Sequence, residues 1–217
     1  MDIEHARFNM IEQQIRPWGV LDSSVLLALE GVPREAFVPP AFHRLAFADI
    51  EIPIGHGQSM MEPKLGARLL QALAPQPGER ILEIGTGSGY VTALLAHTGV
   101  SVTTVEIYPD LLETAAKALG TVGIDNVSLE AGDASAGWPK GDAWDGILLT
   151  ASVPQLPTGF AQSLAPGGRA VAVIGEAPAM EAVRAERDGT GSLLMTSLFD
   201  TQLAPMVNAK DTRVFQL

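Results

Sequence analysis

The sequence predicts an α/β protein with a parallel sheet that carries helices on both of its faces. From residue 64 onwards, short apolar runs alternate with segments in which apolar residues recur at helical spacing. One of these runs, Ile81–Ile84, leads through the glycine-rich turn Gly85–Gly89 into a predicted helix. Strands that alternate with helices run parallel, because each helix returns the chain to the same edge of the sheet.

The composition excludes several classes of protein. The chain has 217 residues, a formal net charge of −11 and no cysteine, which excludes disulfides, thiolate metal sites and a cysteine nucleophile. A chain of this length buries a full hydrophobic core without such supports. The acidic charge argues against nucleic acid or an anionic membrane as a partner. Neither a signal peptide nor an apolar run near the ~18 residues of a spanning helix is visible, so we expect a soluble cytoplasmic protein.

We expect residues 1–63 to form an extension that lies over the core and does not have a core of its own. Apolar residues near helical spacing predict a helix over residues 2–16, which Pro17 ends. Asp22 is a suitable N-cap for a second, short helix, after which a proline-rich stretch excludes a long regular element. The mixed segment 41–63 predicts short strands and loops. We expect this segment to act as a lid on the substrate side, the alternative being an extension that only adds stability.

Residues 64–217 predict the core, which forms one compact domain with the extension. Strand-forming apolar runs alternate there with amphipathic segments. The turn Asp188-Gly189 lies between the last two runs and predicts an antiparallel hairpin at the sheet edge. The predicted helices cover residues 65–73, 89–97, 109–119 and 157–164. The predicted strands cover residues 81–84, 102–105, 127–129, 147–149, 170–174, 181–187 and 192–200.

The glycine-rich turn indicates a cofactor site. Glycine adopts positive φ and lets the backbone approach a ligand closely, and the helix start behind it offers unpaired N–H groups. Dinucleotide-binding enzymes prefer Gly-x-Gly-x-x-Gly, which needs a third glycine at the position of Tyr90. Glu83 lies two residues before Gly85, where its carboxylate can hold a cationic amino group directly or through water. This arrangement predicts S-adenosylmethionine as the cofactor.

Two more acidic residues follow predicted strands in register with the turn. Glu106 lies 21 residues after Gly85 at the end of the next strand, where a carboxylate can accept hydrogen bonds from ribose hydroxyls. Asp133 ends the third strand, where it can reach an adenine amino group. Open α/β sheets bind ligands at the carboxyl ends of their strands, which favours a shared site. The alternative is that these are ordinary strand-end acids of an acidic protein.

Several sequence blocks outside the turn are also distinctive. They are Val-Pro-Arg-Glu-Ala-Phe-Val-Pro at residues 32–39, Ile-Pro-Ile-Gly at 52–55, Gly132-Asp133, and Pro-Gly-Gly-Arg at 166–169. With these blocks, the chain resembles the protein-L-isoaspartate O-methyltransferase family from about Arg7 to Gly175. The resemblance implies a seven-stranded, doubly wound, Rossmann-like class I methyltransferase fold that uses S-adenosylmethionine. It also implies methylation of the abnormal carboxylate of isoaspartyl residues in damaged proteins.

The predicted site combines the turn, the strand-end acids and their neighbours. The cofactor-binding candidates are Ser59, Glu83, Gly85, Thr86, Gly87, Gly89, Glu106, Ile107, Asp133 and Ala134. The acceptor-side candidates are Met60, Met61 and Thr150, and no residue is assigned a catalytic role. We expect no metal site, because none of the four histidines has the spacing of metal ligands.

The segment Gly57–Lys64 departs from the family pattern. The family usually reads Gly-Gln-Thr-Ile-Ser-x-Pro-His, and this chain reads Gly-Gln-Ser-Met-Met-Glu-Pro-Lys. Ser59 keeps a hydroxyl at the threonine position, but Met61 replaces a serine that the family treats as an active-site residue. A thioether cannot donate a hydrogen bond, so Met61 cannot perform the role of that serine.

Three functions therefore remain open at this stage. The first is a protein carboxyl methyltransferase of the isoaspartyl type, which needs no general base because a carboxylate is already ionised at neutral pH. The second is a methyltransferase of the same family with another acceptor, such as a small molecule with an apolar ring. His43 or His56 could then act as a base for a hydroxyl acceptor. The third is a cofactor-binding protein without catalysis. The sequence does not predict the oligomeric state.

Overall fold

A computed structural model describes residues 2–139 and 143–209 of the chain. The strands in these residues include a two-stranded hairpin near the amino terminus and a larger sheet that begins at residue 80. They are β1 (Ile52–Gly55), β2 (Gln58–Met60), β3 (Arg80–Ile84), β4 (Ser101–Glu106), β5 (Val127–Ala131), β6 (Trp144–Leu149), β7 (Leu164–Glu176), β8 (Ala179–Arg187) and β9 (Leu193–Asp200).

The larger sheet confirms the predicted α/β class. Within the described residues it has seven strands in the order β5-β4-β3-β6-β7-β8-β9. The pairs from β5 to β7 are parallel, and β7, β8 and β9 pair antiparallel, as predicted for the closing hairpin. The chain builds outwards from β3 to β5 and then crosses to β6 on the other side of β3. The switch point between β3 and β6 is where sheets of this kind form a ligand crevice.

The helices pack against both faces of the sheet and against one another. Apolar side chains of the amino-terminal helices join one buried cluster with side chains of the helices that flank β3. Among the described residues, no helix is both long and apolar enough to cross a membrane. The helices are α1 (Ile3–Asn9), α2 (Ser23–Gly31), α3 (Pro63–Leu73), α4 (Tyr90–His97), α5 (Pro109–Thr121) and α6 (Thr158–Ser163).

The first predicted helix is shorter than expected. Helix α1 ends at Asn9, and the chain continues as a wider π-type turn over Met10–Ile15 and a 3₁₀ turn over Arg16–Trp18. Met10 and Ile15 are both fully buried, and their spacing of five residues suits the i→i+5 bonding of a π-type turn. The second helix begins as predicted, because the Asp22 carboxylate accepts hydrogen bonds from backbone N–H groups at the start of α2.

Strand β7 begins six residues before the predicted start at residue 170, since the structure has Leu164 as its first residue. The Pro-Gly-Gly sequence at residues 166–168 lies between the predicted helix 157–164 and the predicted strand 170–174. The strand instead runs through it with an irregularity, since Gly167 has a φ of +79° and the register between β6 and β7 shifts at the same place. Proline and glycine stop a helix, but an irregular point in a ladder accommodates both.

The predicted extension and core meet at the first residue of α3. The boundary after residue 63 and the lid function of residues 41–63 stay predictions. The last eight residues of the predicted core, 210–217, lie outside the described residues.

Candidate functional site

A cavity opens at the carboxyl ends of four neighbouring strands. It encloses about 640 Å³, including the part that is open to solvent. The turns after β3, β4, β5 and β6 form its base, and the β1–β2 hairpin lies across it. Its lining comprises Ile54, Gln58, Ser59, Ile84, Gly85, Gly87, Val105, Glu106, Ile107, Tyr108, Leu111, Gly132, Asp133, Ala134, Ser135, Thr150, Ala151, Met206 and Val207.

The glycine-rich turn shapes the base of the cavity. Gly85 and Gly87 line it with φ values of +96° and +53°, which side chains with a Cβ rarely adopt. The N–H of Gly85 donates to the carbonyl oxygen of Val105 at 2.8 Å. A Cβ at Gly85 would overlap the hydroxyl of Thr150, which itself lies 2.6 Å from the Gly85 carbonyl oxygen. This position therefore requires glycine, because any side chain would collide with Thr150.

Glu106 is held in place by the turn that it faces. Its Oε2 accepts the N–H of Gly87 at 2.8 Å, and its Oε1 accepts the N–H of Tyr108 at 3.1 Å. Each carboxylate oxygen has a second acceptor position. The side chain is thus fixed while retaining the capacity to accept two ribose hydroxyls from the cavity.

Asp133 lies at the far end of the same cavity. It accepts the N–H of Ser135 at 2.8 Å and the side-chain amide of Asn208 at 2.9 Å. These hydrogen bonds hold the pKa of Asp133 below its ordinary value, so it stays a pure acceptor at neutral pH. Asn208 was not predicted as a site residue. It lies 75 positions from its partner in the chain, and no motif connects the two.

Glu83, which was predicted to hold the amino group of the cofactor directly or through water, does not line this cavity. Side chains of a strand alternate between faces, and Glu83 points into the layer between β3 and α4, where it is fully buried. Its Oε2 accepts the hydroxyl of Thr92, and its Oε1 has no hydrogen-bond partner among the described residues. Burial raises the pKa of Glu83 to about 7, against the opposing effect of the hydrogen bond from Thr92.

Thr86 and Gly89, which were predicted to contact the cofactor, do not line this cavity either. The hydroxyl of Thr86 is buried and lies 2.7 Å from that of Thr104. Gly89 precedes α4 with a φ of +84°, and a Cβ there would lie 3.1 Å from the Cβ of Ala115. Gly89 thus allows the helix to start and to pack closely on α5, which is a structural role.

A second cavity of about 460 Å³ adjoins the first. Ile54, Ser59, Gly85, Gly87 and Thr150 line both cavities. The second cavity brings together all three acceptor-side candidates, Met60, Met61 and Thr150, and it also contacts Thr86. Arg34 and Tyr90 complete its wall, although sequence reasoning assigned neither of them to the site.

The hairpin that covers the first cavity is fastened to the loop after β4 and to the first turn of α5. The ring of His56 stacks on that of Tyr108 with their centroids 4.1 Å apart, and its Nε2 lies 2.8 Å from Asp110 Oδ2. His56 lines neither cavity, so the structure does not place it as a base for an acceptor. Within residues 2–139 and 143–209, no three histidine or acidic side chains form a group that could hold a metal ion.

Comparison with known proteins now adds to this geometry. The family model of protein-L-isoaspartate (D-aspartate) O-methyltransferase matches residues 6–211, which is nearly the whole chain. The chain belongs to this family of methyltransferases. Similar relatives include protein-L-isoaspartate O-methyltransferase 1 of Rhodopseudomonas palustris, which is 42% identical over 93% of this chain and 82% of its own. The enzyme of the same name from Anaeromyxobacter sp. strain Fw109-5 is 39% identical over 92% of this chain and 95% of its own.

A solved structure supports the fold of this methyltransferase. The Plasmodium falciparum protein of the same family name, which was crystallised with S-adenosyl-L-homocysteine, superposes with a TM-score of 0.79. It covers 95% of this chain and 98% of its own, but only 21% of the residues are identical. At that identity the likeness concerns the fold alone.

Two residues of this methyltransferase that depart from the family sequence, Met61 and Lys64, lie in different environments. Met61 lies in the wall of the second cavity and is 9% exposed. Lys64 lines neither cavity, and its ammonium pairs with Asp49 at 2.6 Å and with Glu62 at 3.1 Å. The hydrogen bond to Asp49 raises the pKa of Lys64, so the ammonium stays charged within these ion pairs. Of these two residues, only Met61 belongs to the cavity wall.

Proposed function

We propose that this chain transfers the methyl group of S-adenosylmethionine to the carboxylate of isoaspartyl residues in damaged proteins. The observation that carries the proposal is the family match over residues 6–211, with relatives of that name at 36–42% identity.

The first cavity suits the nucleoside part of the cofactor. Asp133 is a fixed acceptor for an adenine amino group, with Ile107 and Ala134 as apolar walls for the ring. Glu106 is a fixed acceptor for the ribose hydroxyls. Gly85 lines this cavity and packs directly against the Thr150 hydroxyl, which no residue with a Cβ could do. When bound, the cofactor supplies a methyl group on a positively charged sulfur, which is activated for transfer without a metal or a base.

The second cavity suits the reacting end, because it continues from the turn at Gly85 to the acceptor-side residues. Met60 and Met61 present apolar surface there, which excludes water from the line of attack. An ionised acceptor carboxylate needs no proton removed. The task of the protein is then alignment, an effect that supplies roughly 7–11 kcal/mol in well-oriented reactions.

Methyl-labelled S-adenosylmethionine and a pair of peptides test the proposal. The pair has one sequence and differs only in an isoaspartyl or a normal aspartyl residue. We expect base-labile label, as a methyl ester should give, on the isoaspartyl peptide only. No label on that peptide at high enzyme concentration would overturn the proposal.

Met61 favours a second candidate function, methylation of a different acceptor with an apolar part. The side chain lies in the cavity wall at the position of the family's serine. The variant Met61→Ser separates the two functions. If kcat/KM for the isoaspartyl peptide rises tenfold or more in this variant, the native cavity is adapted to another acceptor. An unchanged or lower value supports the isoaspartyl function of the native chain.

A further inference from the structure

The wall of the second cavity contains a buried positive charge that lacks an anionic partner. Arg34 is only 2% exposed. Its Nε donates to the carbonyl oxygen of Ala46 at 2.8 Å, and its Nη2 donates to that of Met61 at 3.0 Å. Both acceptors are neutral. Among the described residues, no aspartate or glutamate lies within ion-pair distance of Arg34, since its neighbour Glu35 pairs with Arg7.

This arrangement is costly unless a ligand completes it. Withdrawing a cation from water carries a penalty that a carboxylate partner normally offsets. The guanidinium lies over the face of the Tyr90 ring, with Cζ 4.6 Å from the centroid, and this contact offsets a part of the penalty only. Burial lowers the pKa of Arg34, as expected for a cation withdrawn from water, but an arginine remains charged.

Tyr90 provides a second observation in the same wall. It is 4% exposed, and its buried hydroxyl has no acceptor for its proton among the described residues, since the adjacent Arg34 can only donate. Burial raises the pKa of Tyr90, so the hydroxyl keeps its proton and can donate. Buried polar atoms usually have a partner, and an orphaned one beside a cavity points to a missing acceptor.

Glu62, a third residue of the wall, does not neutralise the charge of Arg34. The carboxylate of Glu62 also lines the cavity, but it lies 3.1 Å from the ammonium of Lys64. The acid and the lysine therefore form a pair of their own. Arg34 remains the cation in this wall that is without a counter-charge.

We propose that the second cavity is a carboxylate-binding site, in which Arg34 supplies the counter-charge and Tyr90 a hydrogen bond. Two ligands of the reaction bring a carboxylate to this place, namely the amino-acid end of the cofactor and the isoaspartyl acceptor. The choice between these ligands rests on the proposed function. The carboxylate chemistry rests on the cavity itself.

The test compares each charged ligand with a neutral analogue in the same protein. The first pair is S-adenosylhomocysteine and its carboxamide. The second pair is the isoaspartyl peptide and the peptide with a carboxamide in place of that carboxylate. Dissociation constants are measured for the wild type, Arg34→Gln, Arg34→Lys and Tyr90→Phe. The ratio within a pair cancels any general loss of folded protein, because both ligands meet the same sample.

We expect the wild type to prefer the carboxylate of one pair by about tenfold or more, as for a charge-assisted hydrogen bond. Arg34→Gln should abolish this preference, while Arg34→Lys and Tyr90→Phe should reduce it. Arg44→Gln is the matched control, because Arg44 is an exposed arginine of the 3₁₀ turn Pro40–Leu45 and should leave both ratios unchanged.

The outcomes separate the two ligands and the two proposals. Loss of preference in the homocysteine pair assigns the site to the cofactor, and loss in the peptide pair assigns it to the acceptor. Unchanged ratios in both pairs for Arg34→Gln overturn the inference. If this variant does not fold, unchanged ratios in both Arg34→Lys and Tyr90→Phe overturn it. A wild type that does not methylate the isoaspartyl peptide refutes the proposed function, while the homocysteine pair still decides the role of Arg34.

Discussion

Replacing Glu83 by glutamine should change how the stability of the protein depends on pH. Burial raises the pKa of Glu83 from its ordinary value of 4.5 to about 7 in the folded chain. The folded state therefore binds the proton more tightly than the unfolded state does. A contribution of this kind is fully present below pH 4.5 and is lost as the pH rises towards 7.

The raised pKa of Glu83 sets the size of the expected change in stability. A shift from 4.5 to about 7 corresponds to roughly 3 kcal/mol, at about 1.4 kcal/mol for each pH unit. Glutamine has nearly the shape of a protonated glutamic acid and does not titrate. We therefore expect Glu83→Gln to gain up to roughly 3 kcal/mol in the free energy of unfolding, relative to the wild type, between pH 5 and pH 8. Any cost of the substitution that does not depend on pH shifts the free energy of unfolding equally at every pH, so it does not affect this change with pH.

Urea unfolding of both proteins at pH 5, 6, 7 and 8 measures this difference. Glu113→Gln is the control, because Glu113 is exposed on α5 and its replacement should give a difference that does not change with pH. The reasoning is refuted if the difference between the wild type and Glu83→Gln is also constant over this range. It is refuted equally if the variant loses stability relative to the wild type as the pH rises.

Three further changes test other parts of the site. Glu106→Ala should weaken S-adenosylhomocysteine binding about ten- to a hundredfold, through the lost charge-assisted hydrogen bonds, and calorimetry showing unchanged affinity would contradict its ribose role. Gly85→Ala should lower the free energy of unfolding by about 1–3 kcal/mol more than Gly78→Ala does, because both glycines have positive φ but only the first would gain a clash, with Thr150. Equal losses in urea unfolding would show that the clash is relieved. His56→Ala should speed S-adenosylhomocysteine release about three- to tenfold by unfastening the hairpin, and stopped-flow rates equal to those of the wild type would speak against the lid.

The parts of the site that follow strands directly could be predicted from the sequence. Gly85 and Glu106 are adjacent to apolar runs, and the carboxyl ends of parallel strands meet at one edge. Their lining of a common cavity follows from this rule. Glu83 lies inside its strand rather than after it, so its direction depends on the face to which the side chain points. Spacing alone did not reveal that this face is covered by α4.

The second cavity could not be assembled from the sequence in the same way. Arg34 and Tyr90 lie in different motifs, and the guanidinium reaches the ring only because the amino-terminal segment packs on α4. Asn208 similarly reaches Asp133 from the end of the described chain. Such contacts depend on how distant segments pack, and a single sequence has no local pattern that records them.

By itself, the sequence determined the α/β class, the cofactor edge of the sheet and the family, because periodicity, the glycine-rich turn and short motifs are local properties of a chain. The tertiary structure alone decided which carboxylates face the cavity and which are buried. It also decided that the wall of the second cavity contains a buried arginine for which the described residues offer no anionic partner. Burial and counter-charge are properties of the packed molecule, since they depend on side chains that are neighbours in space and not in sequence.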